Sequence, residues 1–105
     1  MKYITFTIPC YNSENYMRRC VDSLLVGGED VEILIIDDGS SDRTGAIADE
    51  YEMLYPNIVK AVHKPNGGHG SGVNKGLELA HGLYYKVVDY DDWFDRDAYL
   101  KMLDK

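Results

Sequence analysis

The sequence contains no apolar run near the roughly 20 residues that a bilayer-spanning helix needs, so no membrane span is expected in this segment. Its first residues, Met1-Lys2-Tyr3-Ile4-Thr5-Phe6, lack the long apolar stretch and small-residue cleavage site of a signal peptide, and they read as a strand. Basic residues are in the minority. Eleven Lys and Arg face eighteen Asp and Glu, a formal charge of −7. A sequence-independent nucleic-acid binder needs cationic surface, so that class is excluded. Cysteine is scarce too: Cys10 and Cys20 are the two present, at a spacing that fits no zinc motif. Reduced thiols are expected, and with them a cytoplasmic location, at most peripheral to the inner membrane face in a longer parent. No repeat, linker or low-complexity stretch divides the 105 residues, which suffice for one domain and not two.

Strand-like and helix-like segments alternate along the chain. Tyr3 to Ile8 is β-branched and aromatic and stops at Pro9. A helix follows, with Asn12 or Ser13 as N-cap and Met17, Cys20, Val21, Leu24 and Leu25 on its apolar side, and Gly27-Gly28 ends it. Val31 to Ile36 is a nearly continuous apolar run, as expected of a strand covered on both faces. Ser40 or Ser41 can cap a second helix bearing Ile47, Tyr51 and Leu54 on one side. Ile58 to Val62 reads as a third strand. Val73, Leu77 and Ala80 mark a third helix, closed by Gly82 at C′. Tyr84 to Val88 is a fourth strand, and Asp95 or Asp97 starts a last helix with Tyr99, Leu100 and Leu103. This βαβαβαβα order implies an α/β fold with a mostly parallel sheet and helices on both faces. Such a small sheet leaves an open edge.

Ligands of open α/β sheets bind beyond the carboxyl ends of the strands. The chemically distinctive residues fall at those ends: Pro9-Cys10-Tyr11-Asn12, Asp37-Asp38-Gly39-Ser40, Asn66-Gly67-Gly68-His69-Gly70 and Asp89-Tyr90-Asp91-Asp92. Scattered surface polarity would not select one rim four times. The acidic loop concentrates like charges, which costs energy unless a cation or a proton relieves it. Carboxylate oxygens suit Mg²⁺ or Mn²⁺ completed by substrate phosphates. Asp95 and Asp97 read instead as helix caps. Taken alone, Asp37-Asp38 is explained by a turn and a favourable helix dipole, and Tyr11 by core packing. The other possibility is that Asp38 accepts a ring N–H of uracil or guanine and Tyr11 stacks on the base. The glycine-rich segment is neither a dinucleotide fingerprint nor a P-loop, and His69 reads as an ordinary surface residue of it.

The four blocks Ile8-Pro9-Cys10-Tyr11-Asn12, Ile36-Asp37-Asp38-Gly39-Ser40-Ser41-Asp42, Asn66-Gly67-Gly68 with Asn74-Lys75-Gly76-Leu77, and Asp89-Tyr90-Asp91-Asp92-Trp93 together resemble family 2 glycosyltransferases, in order and over essentially the whole chain. The resemblance implies the Rossmann-like GT-A nucleotide-diphospho-sugar-binding fold, here truncated to its N-terminal part. It implies metal-dependent, inverting transfer of a sugar from a nucleoside-diphosphate donor, usually UDP-linked, to a glycan or lipid-linked acceptor. By it, Pro9, Tyr11, Asn12, Asp37, Asp38, Asn66, Gly67, Asp89, Tyr90 and Asp91 contact the nucleotide sugar. Asp89, Asp91 and Asp92 would meet Mn²⁺ or Mg²⁺. The general base would lie beyond Lys105, in the acceptor half, so this portion would bind donor without turning it over. Val73 stands where many relatives carry Arg, with Lys75 as a candidate substitute, and Leu83 stands where an acidic residue is common.

Two other classes compete. A receiver-like phosphoacceptor module also combines a parallel sheet with an acidic pair, but there the pair follows strand one, whereas here strand one ends in Pro9-Cys10-Tyr11. A non-catalytic nucleotide-binding or interaction domain would keep the fold and lose turnover.

Overall fold

The computed structural model describes residues 2–104. Four strands and four α-helices alternate: β1 (Ile4–Cys10), α1 (Met17–Leu25), β2 (Val31–Asp38), α2 (Thr44–Leu54), β3 (Val59–Lys64), α3 (His69–Leu79), β4 (Tyr84–Val87) and α4 (Arg96–Leu103), with a short 3₁₀ turn at Gly28–Asp30. All strand pairs are parallel, in the order β3-β2-β1-β4. The chain thus moves outward from β1 through β2 to β3, then crosses back to place β4 on the other side of β1. That reversal opens a crevice at the strand ends.

β1 and β2 occupy the centre, and every residue of both is buried. This is why β2 reads as an unbroken apolar run. Alternate residues supply two different faces. Ile4, Phe6, Ile8 and Cys10 of β1 and Val31, Ile33 and Ile35 of β2 join the main core with Met17, Cys20, Val21 and Leu24 of α1, Ile47, Ala48 and Tyr51 of α2, and Tyr99 and Leu103 of α4. Phe6, Phe94 and Tyr99 meet edge-on with centroids 5.3–5.8 Å apart. The Tyr99 hydroxyl donates to the Leu24 carbonyl at 2.8 Å. This aromatic triad, a geometry favoured by ring quadrupoles, ties α4 to the sheet.

The opposite face is covered by α3 and is built differently. Gly72 and Gly76 are its buried residues. A methyl group on Gly72 would press on Pro9 and Ile36, and one on Gly76 would collide with Thr7. The missing side chains let the helix backbone approach the sheet closely. The expected apolar stripe Val73, Leu77, Ala80 is therefore not the packing face, and Leu77 is 60% exposed.

Several terminus assignments are also corrected. Neither Asn12 nor Ser13 caps α1 with its side chain, because Asn12 reaches across to Ser41 and the Ser13 hydroxyl turns to the Met17 sulfur. Ser40 and Ser41 do not cap α2; Asp42 Oδ1 accepts from Thr44 N at 2.9 Å instead. Leu54 lies in the last turn of α2 but is exposed. β3 begins and ends one or two residues later than its apolar content suggested. Gly82 is not a left-handed C′ residue: α3 ends at Leu79, its cap residue Ala80 has extended backbone, and Gly82 is needed because a Cβ would strike the β1 backbone at Thr5. Asp95 does cap α4, accepting from Ala98 N at 3.0 Å.

Candidate functional site

The carboxyl ends of the strands form a cleft of about 280 Å³ lined by Pro9, Cys10, Tyr11, Asp38, Asn66, Gly68, His69 and Tyr90. Of the residues expected to contact the nucleotide sugar, Pro9, Tyr11, Asp38, Asn66 and Tyr90 line it together. Tyr11 offers a half-exposed ring at its edge.

Asp38 is the fixed point. It is 4% exposed. Oδ1 accepts from Lys64 Nζ at 2.7 Å and from Gly67 N at 2.9 Å, and Oδ2 accepts from Gly68 N at 2.9 Å. The Asn66 amide donates to the Asp38 carbonyl at 3.1 Å. Burial pushes the carboxyl group up, but the Lys64 ammonium and the two glycine amides outweigh it and hold Asp38 below the usual carboxylate range. Gly67 therefore acts through its amide, behind Asp38, and does not line the cleft. The conformation needs Gly68, whose φ of 89° disfavours any side chain.

Asp37 and Asn12 serve the frame. Asp37 Oδ1 accepts from Ser40 N at 3.0 Å, and Oδ2 meets His63 Nδ1 at 2.9 Å. His63 Nε2 reaches Asp49 at 2.7 Å, so the imidazole lies between two carboxylates; Asp37 and then Asp49 raise its pKa. Asn12, in the left-handed region at φ 47°, accepts from Ser41 N at 2.9 Å while its own N–H donates to Ser40 Oγ at 3.1 Å. Ser13 N donates to Thr44 Oγ1 at 2.8 Å and Glu14 N to Asp42 at 3.2 Å. These bonds lace the loop after β1 to the loop after β2, which sets Tyr11 and Asp38 on one cleft.

The acidic loop is exposed. Asp89, Asp91 and Asp92 have no hydrogen-bonding or ion-pair partner for their side chains among the described residues. Three contacts fasten this loop to α1: the Arg19 guanidinium lies 3.4 Å from the Trp93 ring centroid, Phe94 N donates to Ser23 Oγ at 3.1 Å, and Tyr16 and Tyr90 pair at 6.2 Å. Among the described residues no three His, Cys, Asp or Glu side chains converge as a metal cage. The donor chemistry fits a hard cation that takes one or two carboxylates and completes its shell with water and phosphate. It does not fit an all-protein site.

Sequence reasoning missed three features. His69, taken for ordinary loop surface, opens α3 and lines the cleft. Cys10 and Gly68 line it as well. Lys64 and His63 partner the Asp pair, a relation visible only in the register that sets Asp37 beside His63 and Asp38 beside Lys64. Lys75, considered as a replacement for the arginine absent at Val73, lies 3.7 Å from Glu78 on α3 and is not part of the cleft lining. Both cysteines are free and buried, and burial pushes each thiol up to about 12. No described helix is long and apolar enough to cross a membrane.

Comparison with known proteins agrees with this architecture. Residues 5–105 match Glycosyl transferase family 2. The chain belongs to that family. It is 37% identical over 102 residues to the poly(ribitol-phosphate) beta-glucosyltransferase of Bacillus spizizenii, covering 93% of this chain and 16% of that protein. It is 37% identical over 95 residues to glycosyltransferase GlyA of Streptococcus pneumoniae, covering 90% of this chain and 14% of the relative. Among solved structures, TarS 1-349 of S. aureus with UDP-GlcNAc superposes with a TM-score of 0.81 at 29% identity, covering 98% of this chain and 30% of that one. The mannosyltransferase PcManGT of Pyrobaculum calidifontis shares the GT-A fold at a TM-score of 0.82 and 21% identity, over 97% of this chain and 32% of its own. The chain spans 14–36% of the length of the first curated relatives it matches.

Proposed function

We propose that this chain is the donor-binding portion of a glycosyltransferase that moves a sugar from a UDP-linked donor to a glycan or lipid-linked acceptor, with inversion and with Mn²⁺ or Mg²⁺. The observation that carries the proposal is the meeting of Tyr11, Asp38, Asn66 and Tyr90 around one cleft whose neighbouring loop presents carboxylates without a partner among the described residues. A UDP donor is favoured because TarS structures hold UDP and UDP-GlcNAc, at 27% and 29% identity to this chain. Asp38 accepts the ring N–H of the base, and Tyr11 covers its face. Pro9 and Asn66 shape the walls. The first turn of α3, with His69, faces the diphosphate with free backbone amides and the positive end of the helix dipole.

Asp89, Asp91 and Asp92 would hold the divalent cation, with the Asp89 and Asp91 pair also meeting the ribose. Bound there, the cation supplies charge stabilisation for the departing nucleoside diphosphate. The chain's own work is positional: it fixes the base, and through it the anomeric carbon, so that the reacting bond has one orientation. Inversion further requires a base to deprotonate the acceptor hydroxyl. No carboxylate of this cleft is given that role, since Asp38 is committed to hydrogen bonds and Asp95 to capping α4. The two free thiols favour a cytoplasmic site of action.

Isothermal calorimetry with UDP tests the proposal. Binding should be at least about tenfold tighter in Mn²⁺ than in EDTA, a difference near 1.4 kcal/mol. Absence of UDP binding in both conditions would sink it.

A further inference from the structure

Under the function proposed above Asp38 reads the base, and the role of Lys64 rests on that reading. A nearly buried carboxylate must stay charged and aimed to do so. A carboxylate has about four acceptor positions. Oδ1 uses two, on Lys64 Nζ and Gly67 N, and Oδ2 uses one, on Gly68 N. One position remains on Oδ2. Lys64 stands behind Asp38 and not in the cleft: its side chain is 14% exposed, is absent from the cleft lining and gives a second bond to the Pro65 carbonyl at 2.7 Å. The parallel register sets the two residues side by side on β2 and β3.

We propose that Lys64 is a positioning residue for nucleobase selection: it keeps Asp38 an ionised acceptor with a single open site turned to the cleft. Such a site takes a base with a ring N–H beside a carbonyl, as in uracil. It repels cytosine, whose ring nitrogen at that position is itself an acceptor. Without the ammonium, burial is opposed only by the two glycine amides, and Asp38 takes up a proton at higher pH than in wild type. A protonated Asp38 donates, and the preference shifts toward cytosine. The other titratable groups around Asp38 do not replace Lys64. Asp37 is its strand neighbour and of like charge; His63 is directed at Asp37 and Asp49; Tyr11, His69 and Tyr90 line the cleft with it and make no hydrogen bond to it.

The test compares wild type with Lys64→Met, Lys64→Gln and Lys64→Arg. Affinities for UDP and CDP are measured in Mn²⁺ from about pH 5 to about pH 8, so that diphosphate and metal contributions cancel in the ratio. The Asp38 carboxyl carbon is followed by NMR across the same range. K64M and K64Q should lose about tenfold of the UDP-over-CDP preference, the loss growing as pH falls, and their Asp38 should titrate higher than in wild type. K64R should retain the wild-type ratio. A folded K64M or K64Q with an unchanged ratio, or an Asp38 that titrates as in wild type, overturns the proposal. Should wild type bind neither nucleotide, the function proposed above fails, while the carboxyl titration still decides whether Lys64 governs Asp38.

Discussion

The two acidic regions of the strand-end rim are built in opposite ways. At the end of β2, Asp37 and Asp38 are buried, and β3 gives each a partner, the His63 imidazole and the Lys64 ammonium. Beyond β4, Asp89, Asp91 and Asp92 are exposed, without side-chain partners among the described residues, and held through their neighbours Tyr90, Trp93 and Phe94. The first region is complete as folded and can act as a template. The second keeps its ligand capacity unspent, because its charges are not already neutralised by the protein. Carboxylates that build a site and carboxylates that await a cation can thus be told apart by where their hydrogen bonds go.

Substitutions should break this contrast in opposite directions. Asp91→Asn should reduce UDP affinity in Mn²⁺ to its EDTA level while changing stability by less than about 0.5 kcal/mol, as for exposed sites without partners. Asp38→Ala should do both: abolish base recognition and destabilise the fold by about 2–3 kcal/mol, since Lys64 and two amides lose their acceptor. Calorimetry and urea unfolding read the two effects. Gly76→Val should cost about 1–3 kcal/mol by forcing α3 away from Thr7, and should weaken nucleotide binding through the displaced first turn of α3.

The pH dependence of folding should divide along the same line. Asp38 is held low by Lys64, Gly67 and Gly68 against the effect of burial, and Asp42 by Thr44 and the Glu14 amide against the same effect. Their stabilising contribution is present above the unfolded carboxylate pKa and is lost as pH falls through their depressed values. His63, raised by Asp37 and Asp49, works the other way: its contribution is complete below the ordinary histidine pKa and disappears as pH rises through the folded one. Stability should therefore decline on both sides, and His63→Gln should remove the decline that sets in above the ordinary histidine pKa while leaving the acid decline. The smallest effect is expected for Arg19→Ala, about 0.5–1 kcal/mol from the lost cation–ring contact, accompanied by weaker Mn²⁺-dependent binding and no change in EDTA.

Much of this was legible in the sequence, for identifiable reasons. β1 and β2 are buried on both faces, so the β-branched and aromatic content of β1 and the apolar run of β2 are unambiguous, and the turn residues after each strand marked the rim. The face of α3 was not legible, because hydrophobic periodicity cannot register a helix that packs through Gly72 and Gly76 and exposes Leu77. Asn12, Ser13, Ser40 and Ser41 have the composition of helix caps, yet they lace two loops together, Ser13 through its backbone N–H to Thr44, a tertiary use that local propensity cannot foresee. The partners of Asp37 and Asp38, His63 and Lys64, emerged only with the register of β3. The separate status of Asp89 and Asp91 likewise depended on seeing which carboxylates the fold leaves alone.

Paramagnetic broadening of backbone amide signals by Mn²⁺ in the presence of UDP addresses the central assignment directly. Signals of Asp89 to Trp93 should broaden first and those of His69 and Gly70 next, with Glu32 and His81 at the far end of the sheet unaffected, and Asp91→Asn should suppress the effect. Broadening centred away from the acidic loop, or identical in wild type and Asp91→Asn, would contradict it.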